Sequence, residues 1–296
     1  MRNRFAPVRV AAAALAFVAS GAAHAATPIP AGEASFTFVD ARGQPDRPLT
    51  VYTYRPAACD AKCPLVIVMH GVSRDASNYR GFWEAAADRY RLVIAAPEFS
   101  KRYWPRAAAY NLGDVAAHPG DPAKWSYSAV EHLFDEIAGG RTGYVLFGHS
   151  AGGQFVHRMA LFLPGSRATM MVAANPGWYT MPEWRAARAA DPFPYSMAGA
   201  PVGAGALKQA LARPFTLMQG TADVDPHDKD LVHNGAADRE GANRYERGQA
   251  FFAAAQAAAK ELDVPFAWKR VDVPGVAHSG SRMSRAAAET LFGKAG

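Results

Sequence analysis

Short runs of apolar, β-branched or aromatic residues recur along the chain, and each ends at a turn signal. Several runs are apolar on successive positions, which is typical of strands buried on both faces of a parallel sheet. We predict eight strands, at Ser35–Val39, Leu49–Tyr54, Leu65–Met69, Leu92–Ala96, Tyr144–Phe147, Thr169–Ala173, Phe215–Gln219 and Phe266–Val273.

Helical spacing fills several of the intervals between these runs. One helix is predicted after residue 150 and ends at Pro164, and two more precede the fourth and the last strand. Their apolar positions are Phe155, Met159, Phe162 and Leu163; Phe82, Ala86 and Tyr90; and Phe251, Ala255, Ala258 and Leu262. This alternation predicts an α/β fold with a mostly parallel central sheet and helices on both faces. The polar connection between the first two strands predicts an antiparallel hairpin at the N-terminal edge of the sheet.

No internal repeat, low-complexity linker or break in composition divides residues 26–296, so we predict a single domain there. Residues 175–213 contain proline, tryptophan, tyrosine and glycine without a clear period. We predict that this segment is a small lid-like insertion over the carboxyl edge of the sheet.

The first 25 residues have the pattern of a cleavable signal peptide. Three arginines precede the apolar stretch 10–18, and Ala23-His24-Ala25 fits a signal-peptidase site. The apolar stretch is much shorter than the roughly 20 residues that a membrane-spanning helix needs. No later segment approaches that length. We therefore expect cleavage near Ala25 and a secreted or periplasmic protein.

Charge adds little to this picture. The formal net charge is +6, and three of the cations belong to the predicted signal peptide, so the mature chain would carry +3. No dense basic run or basic stripe with interleaved aromatic residues is present. We therefore expect no nucleic-acid partner, whereas an anionic substrate would be tolerated.

Cys59 and Cys63 are the only cysteines of the chain. In an oxidising compartment we expect them to form a disulfide bond, which would contribute about 2 kcal/mol by closing a short loop. Two cysteines are too few for a structural zinc site.

Residues 223–233 are rich in Asp and His but lack the glycine and glutamate of a calcium-binding loop. We predict a solvated acidic loop there, with a bound cation as the alternative, and we expect no metal site or cofactor in the rest of the chain.

A predicted strand, the sequence Gly148-His149-Ser150-Ala151-Gly152 and a predicted helix follow one another directly. The glycines permit a tight turn that lifts the serine hydroxyl above the end of the strand. The amide of Ala151, at the start of the helix, would point toward a developing oxyanion. Ser150 is therefore the predicted nucleophile, and Ala151 a predicted oxyanion donor.

A serine nucleophile needs a base and an acid that orients the base. Asp223 follows the seventh predicted strand and His278 follows the eighth, so both would reach the same sheet edge as Ser150. Asp225 is the alternative acid, and Asp223 is preferred because it is closer to the end of its strand. After the third strand, His70-Gly71 leads to Val72, whose amide is the predicted second oxyanion donor. We expect His70 to brace this loop.

These motifs, HG after an early strand, GHSAG, G-x-x-D and a late histidine, resemble the α/β-hydrolase superfamily over nearly the whole mature chain. The resemblance implies an α/β-hydrolase fold, a Ser-His-Asp triad and no cofactor. The stretch HGVSRDASNY looks most like the polyhydroxyalkanoate-depolymerase and feruloyl-esterase-like group. The chain departs from such depolymerases because it shows no appended polymer-binding domain or linker, which argues against an insoluble polymer as substrate.

The expected function is hydrolysis of a small or oligomeric carboxylic ester, including polyester oligomers, through an acyl-enzyme. Amide cleavage, including that of an acidic polyamide, is an alternative because the triad does not choose between leaving groups. A non-catalytic binding protein on the same scaffold is another. His149, Trp178 and Tyr179 are candidate substrate-binding residues, with ordinary packing as the alternative for the two aromatic side chains. His157 is predicted on the polar side of its helix, at the surface.

Overall fold

The structure is a computed structural model and describes residues 27–60 and 62–293. The predicted signal peptide and its cleavage site lie outside the described residues. Within them, no helix is both long and apolar enough to cross a membrane.

Eight strands of the described chain form one sheet in the order β1-β2-β4-β3-β5-β6-β7-β8. The β1–β2 and β2–β4 pairs are antiparallel, and the other five pairs are parallel. The strands are β1 (Gly32–Phe38), β2 (Leu49–Arg55), β3 (Leu65–Met69), β4 (Val93–Glu98), β5 (Tyr144–His149), β6 (Ala168–Ala174), β7 (Phe215–Gly220) and β8 (Trp268–Val273). This architecture confirms the predicted α/β fold with an antiparallel N-terminal edge.

Helices cover both faces of the sheet. They are α1 (Ala76–Gly81), α2 (Glu84–Tyr90), α3 (Arg106–Ala109), α4 (Ser126–Ile137), α5 (Ala151–Phe162), α6 (Ala204–Leu211), α7 (Gly235–Glu240), α8 (Arg244–Leu262) and α9 (Gly280–Phe292). The cluster of buried residues on one face includes side chains of α4, α5, α6 and α8. The cluster on the other face includes side chains of α2 and α9.

Strand β3 shows why the strands are apolar on successive positions. All five of its residues are buried. Ile67 belongs to the α5 side of the core and its neighbour Val68 to the α9 side, because successive side chains of a strand point to opposite faces. A polar residue at either position would enter a core instead of solvent.

The structure also contains elements that the sequence pattern did not predict. The predicted helix around Phe82 is two short helices, α1 and α2. The predicted insertion at residues 175–213 contains a regular helix, α6. The predicted disulfide bond between Cys59 and Cys63 is present, with the two Cα atoms 5.7 Å apart.

Candidate active site

Ser150 lies at a sharp turn between β5 and α5. Its φ of 59° and ψ of −119° are unusual for a residue with a side chain. The flanking glycines are required by close backbone contacts. A Cβ at Gly148 would lie 2.3 Å from the carbonyl oxygen of Gly152, and one at Gly152 would lie 2.2 Å from that of Met69. The turn therefore depends on the two glycines that the motif places around the serine.

Two hydrogen bonds connect Ser150, His278 and Asp223. The Oγ atom of Ser150 is 2.9 Å from Nε2 of His278, and Nδ1 of His278 is 2.7 Å from Oδ2 of Asp223. Asp223 is buried, whereas Asp225, the alternative acid, is exposed. The structure thus brings together the three residues selected from the sequence, although 128 positions separate the serine from the histidine.

Asn175, at the end of β6, joins the acid loop to the histidine loop. Its Oδ1 atom accepts a hydrogen bond of 2.8 Å from the Gly220 amide, and its Nδ2 donates one of 3.2 Å to the Ala277 carbonyl oxygen. Sequence reasoning missed this residue. Its position directly after a buried strand, beside the carboxyl ends of β5 and β7, was the available signal.

Val72 and Ala151 belong to segments that are far apart in sequence, and both line the same cavity as Ser150. Neither amide donates a hydrogen bond to another described residue. Two free N–H groups beside a serine hydroxyl can bind an oxyanion.

His70 holds the loop that carries Val72. Its ring is fully buried, and Nε2 accepts a 3.0 Å hydrogen bond from the Phe99 amide while Nδ1 lies 3.0 Å from the Gly71 carbonyl oxygen. Burial lowers the pKa of His70 to about 3, so the ring is neutral and Nδ1 carries the hydrogen that bonds Gly71. This arrangement agrees with a bracing role.

His149, between Gly148 and Ser150, is buried and does not line the cavity. Its Nδ1 atom lies 2.9 Å from the hydroxyl of Tyr79, and its ring centroid lies 4.6 Å from that of His278. Burial lowers the pKa of His149 well below its ordinary value, and the charges of His278 and Arg244 lower it further. His149 therefore packs beneath the site as a neutral ring, and Tyr79 is a further residue that sequence reasoning missed.

A cavity of about 490 Å³ opens beside Ser150, and we call it the serine cavity. It is lined by Val72, Arg74, Lys101, Pro105, Arg106, Ala107, Tyr110, Asn111, Ser150, Ala151, Gln154, Gly177, Trp178, Asp230, Val232 and Arg244. Four cationic residues, Arg74, Lys101, Arg106 and Arg244, and one acidic residue, Asp230, thus line this space. Within the described residues, no group of three or more His, Cys, Asp and Glu side chains is arranged to hold a metal ion.

The two aromatic candidates occupy different environments. Trp178 lines the serine cavity, with the Arg158 guanidinium 4.1 Å from its ring centroid and the Tyr195 ring 4.6 Å away. Tyr179 is fully buried and stacks on Phe251 at 4.5 Å. The structure therefore places Trp178 at the site and Tyr179 in the core.

The surface prediction for His157 is wrong. The side chain is fully buried, and its Nε2 atom accepts a 3.1 Å hydrogen bond from the Thr180 amide. Every residue of α5 is buried. Helix α5 has no solvent-exposed face, because the segment around Thr180 covers its polar side, which was predicted to be exposed.

Arg244, the first residue of α8, contacts the second oxygen of Asp223. Its guanidinium is 3.2 Å from Oδ1 of Asp223 and 2.8 Å from Oδ1 of Asp228, and the side chain is 2% exposed. The arginine hydrogen bond is the main cause that lowers the pKa of Asp228, to about 2. Sequence reasoning did not select either residue.

The chain resembles solved structures over most of its length. It is 35% identical to poly(aspartic acid) hydrolase-1 from Sphingomonas sp. KT-1, with a TM-score of 0.82 over 90% of this chain and 100% of that chain. It is 37% identical to a poly(3-hydroxybutyrate) depolymerase from Bordetella parapertussis, with a TM-score of 0.83 over 89% of this chain and 90% of that chain. The chain belongs to the depolymerase-like serine hydrolases of the α/β-hydrolase superfamily.

This assignment confirms the resemblance inferred from the motifs. The α/β-hydrolase fold is also shared, at 17% identity and a TM-score of 0.53, with an S-formylglutathione hydrolase from Agrobacterium tumefaciens, over 88% of this chain and 92% of that chain. The scan against family models gave no match, and neither did the comparison with curated proteins. The family of this chain is thus identified from its structural neighbours.

Proposed function

We propose that this serine hydrolase cleaves carboxylic esters by acyl transfer, with Ser150 as nucleophile, His278 as base and Asp223 as the acid that orients the base. The observation that carries the proposal is the unbroken chain of hydrogen bonds of 2.9 and 2.7 Å from Ser150 Oγ through the imidazole to Asp223. A serine in such a chain can lose its proton as it attacks a carbonyl carbon.

In the first half-reaction, Ser150 Oγ bonds to the carbonyl carbon while its proton passes to Nε2 of His278. The carbonyl oxygen becomes an oxyanion, which the amides of Val72 and Ala151 stabilise. The C–O bond of the ester then breaks, and the proton on His278 goes to the departing alcohol. Asp223 holds the imidazole so that Nε2 faces the serine throughout.

The second half-reaction releases the acid. A water molecule gives a proton to His278 as its oxygen bonds to the acyl carbon. The bond between that carbon and Ser150 Oγ breaks, and the proton returns from His278 to the serine. The net reaction consumes one water and yields a carboxylic acid and an alcohol, with no cofactor.

An acidic polyamide is a second candidate substrate, and the charge of the serine cavity favours it. Arg74 donates hydrogen bonds to the backbone carbonyls of Phe99 and Arg106 and has no carboxylate partner among the described residues. Lys101 and Arg106 add two further cations. Such a lining would bind a carboxylate-bearing chain, and one relative, at 35% identity, is a poly(aspartic acid) hydrolase.

The backbone of two of these arginines strengthens that argument. Arg74 and Arg106 have φ angles of 66° and 57°. The left-handed region costs a residue with a side chain about 1 kcal/mol or more, and glycine or asparagine would occupy it with less strain. Two of the arginines that line the serine cavity thus occupy positions whose backbone favours other residues.

Three further features belong to the proposal. We infer that residues 1–25 are removed on export, which the disulfide between Cys59 and Cys63 supports, since such bonds persist in oxidising compartments. We also infer that residues 26–296 are one domain and that residues 175–213 act as its lid. Gly177 and Trp178 of that segment line the serine cavity.

Intact mass after treatment with a fluorophosphonate tests the nucleophile. We expect one adduct on the mature protein and none on Ser150→Ala, with the two proteins melting within a few degrees of each other. A persistent adduct on the variant would assign the reactive residue elsewhere. No adduct on the folded wild-type protein would favour a binding protein on the same scaffold.

Turnover then separates the substrates. A neutral hydroxyacid ester oligomer and an aspartate oligomer, compared at equal concentration with Ser150→Ala as the blank, decide between ester and acidic amide hydrolysis. Cleavage of the aspartate oligomer alone would overturn the ester proposal and leave the acyl-transfer chemistry in place.

A further inference from the structure

The two oxygens of the Asp223 carboxylate have different partners. Oδ2 accepts from His278 at 2.7 Å, and Oδ1 accepts from Arg244 at 3.2 Å. A carboxylate with both oxygens bonded cannot rotate about its Cβ–Cγ bond without breaking one of the bonds. The orientation of the imidazole thus depends on the arginine as well as on the aspartate.

Asp228 offsets the charge of Arg244. A lone guanidinium beside Asp223 would neutralise the carboxylate that must stabilise the imidazolium formed during catalysis. The 2.8 Å ion pair with Asp228 leaves the group of Asp223, Arg244 and Asp228 with a net charge of −1. The arginine can therefore fix the geometry of Asp223 while the acid keeps its electrostatic effect.

We propose that Arg244 and Asp228 are positioning residues of the catalytic site. Arg244 fixes the orientation of the Asp223 carboxylate that bonds His278, and Asp228 offsets the charge of Arg244. This inference rests on the proposed triad. It adds to the catalytic site a chain of two ion pairs, Asp228–Arg244–Asp223, and neither Arg244 nor Asp228 belongs to the G-x-S-x-G or G-x-x-D motif.

The burial of the arginine supports this assignment. The side chains of Arg244 and Asp223 are 2% and 4% exposed, and that of Asp228 is 28% exposed. Ion pairs screened from water interact far more strongly than surface pairs. A change of charge at Arg244 or Asp228 will therefore change the electrostatic environment of the His278 imidazole.

The groups that face His278 fix the sign of the expected effects. They are Asp223, the Arg244–Asp228 pair and the neutral ring of His149, which is 4.6 Å away between centroids. Removal of the Arg244 cation makes the surroundings of the imidazole more negative and favours its protonated form. Removal of the Asp228 charge has the opposite effect. Since the base must be unprotonated, the two changes should displace the pH profile in opposite directions.

The test measures the rate of fluorophosphonate labelling against pH, roughly from pH 5 to 9, where an imidazole titrates. The probe bonds to Ser150 Oγ as fluoride leaves and the serine proton passes to His278, so the rate reports the base without a known substrate. We expect the midpoint of the rising limb to move to higher pH in Arg244→Gln and to lower pH in Asp228→Asn, each by about half a pH unit or more. We also expect the plateau rate of Arg244→Gln to fall by about tenfold or more, because Asp223 loses its second contact.

Arg247→Gln is the matched control. Arg247 is buried in the same helix and pairs with Asp238 instead of Asp223. Its loss should lower the melting temperature and leave the midpoint in place. Arg244→Lys, which keeps the charge without the planar fork, should retain the midpoint and lower the plateau.

The outcomes separate the two proposals. No labelling of the wild-type protein would refute the triad itself. Wild-type labelling with a rising limb that neither Arg244→Gln nor Asp228→Asn displaces would overturn only the positioning roles. If Arg244→Gln does not fold, Asp228→Asn decides alone, since Asp228 is partly exposed and its amide variant keeps a hydrogen-bond acceptor.

Discussion

Two aspartates only two positions apart occupy very different environments. Asp223 is buried with both carboxylate oxygens hydrogen bonded, whereas Asp225 is exposed and, among the described residues, its Oδ1 accepts only from the amide of His227. An orienting acid must keep one geometry and be shielded from water. Burial, which the sequence spacing could not reveal, thus supports the choice of Asp223.

Replacement of each aspartate by asparagine tests this choice. Asp223→Asn should reduce kcat/KM by about 10³–10⁴-fold, because an amide can hold the wrong tautomer of the imidazole. Asp225→Asn should stay within about twofold of the wild-type value, as expected for a surface substitution. Steady-state kinetics on a chromogenic ester measure both, and a larger loss in Asp225→Asn would move the acid to that position.

The residues that the sequence could not supply are those whose partners lie in distant segments. Ser150 and His278 were found because each follows a strand with a characteristic turn. Asn175 bonds Ala277, which is 102 positions away, and Tyr79 bonds His149 across 70 positions. The position of Asn175 directly after a strand was visible in the sequence, but no local pattern identifies the partners of these side chains, because the partners depend on how the strands are ordered in the sheet.

At the level of elements, the predicted strands lie within a few residues of the observed ones, since burial on both faces leaves a run of apolar residues that turns interrupt. Helices were harder to predict. The Ala-rich α9 follows the histidine loop directly, and Ser279 caps it by accepting from the Arg282 amide. Its apolar stripe is narrow because small residues, among them Ala287 and Ala288, pack against the sheet.

The close contact between α5 and β3 at Gly152 leads to a further prediction. Gly152→Ala should prevent folding or lower the melting temperature by more than 10 °C, roughly what a loss of several kcal/mol produces, because the new methyl group would lie 2.2 Å from the Met69 carbonyl oxygen. Gly165→Ala is the control, since no heavy atom lies within 4 Å of its added Cβ. Equal melting temperatures for the two variants, by calorimetry, would contradict the close contact.

At the scale of the whole molecule, a buried carboxyl links stability to pH. Desolvation raises the pKa of Glu240 from 4.5 to about 8, and its Oε2 accepts from the Tyr179 amide at 2.9 Å. The folded state therefore binds a proton that the unfolded state releases above its own, lower pKa. The stabilisation of the folded state by this bound proton is fully present below about pH 4.5 and is lost as the pH rises toward 8.

Glu240→Gln should remove this dependence. The variant keeps the acceptor for the Tyr179 amide and carries no charge, so near pH 8 it should be more stable than the wild type by a few kcal/mol, roughly, with little difference near pH 5. Urea titrations at the two pH values measure the change. A variant less stable than the wild type at both values would mean that the carboxylate is ionised and paired in the folded protein.

The proposed triad draws its members from the ends of β5, β7 and β8, so its geometry requires the last strand to be in the sheet. During synthesis, Ser150 emerges 128 positions before His278. Until that histidine docks, the serine is an ordinary alcohol. Under the proposed triad, an incomplete chain lacks the base that activates Ser150, and covalent labelling of Ser150 would therefore count only the molecules that have finished folding.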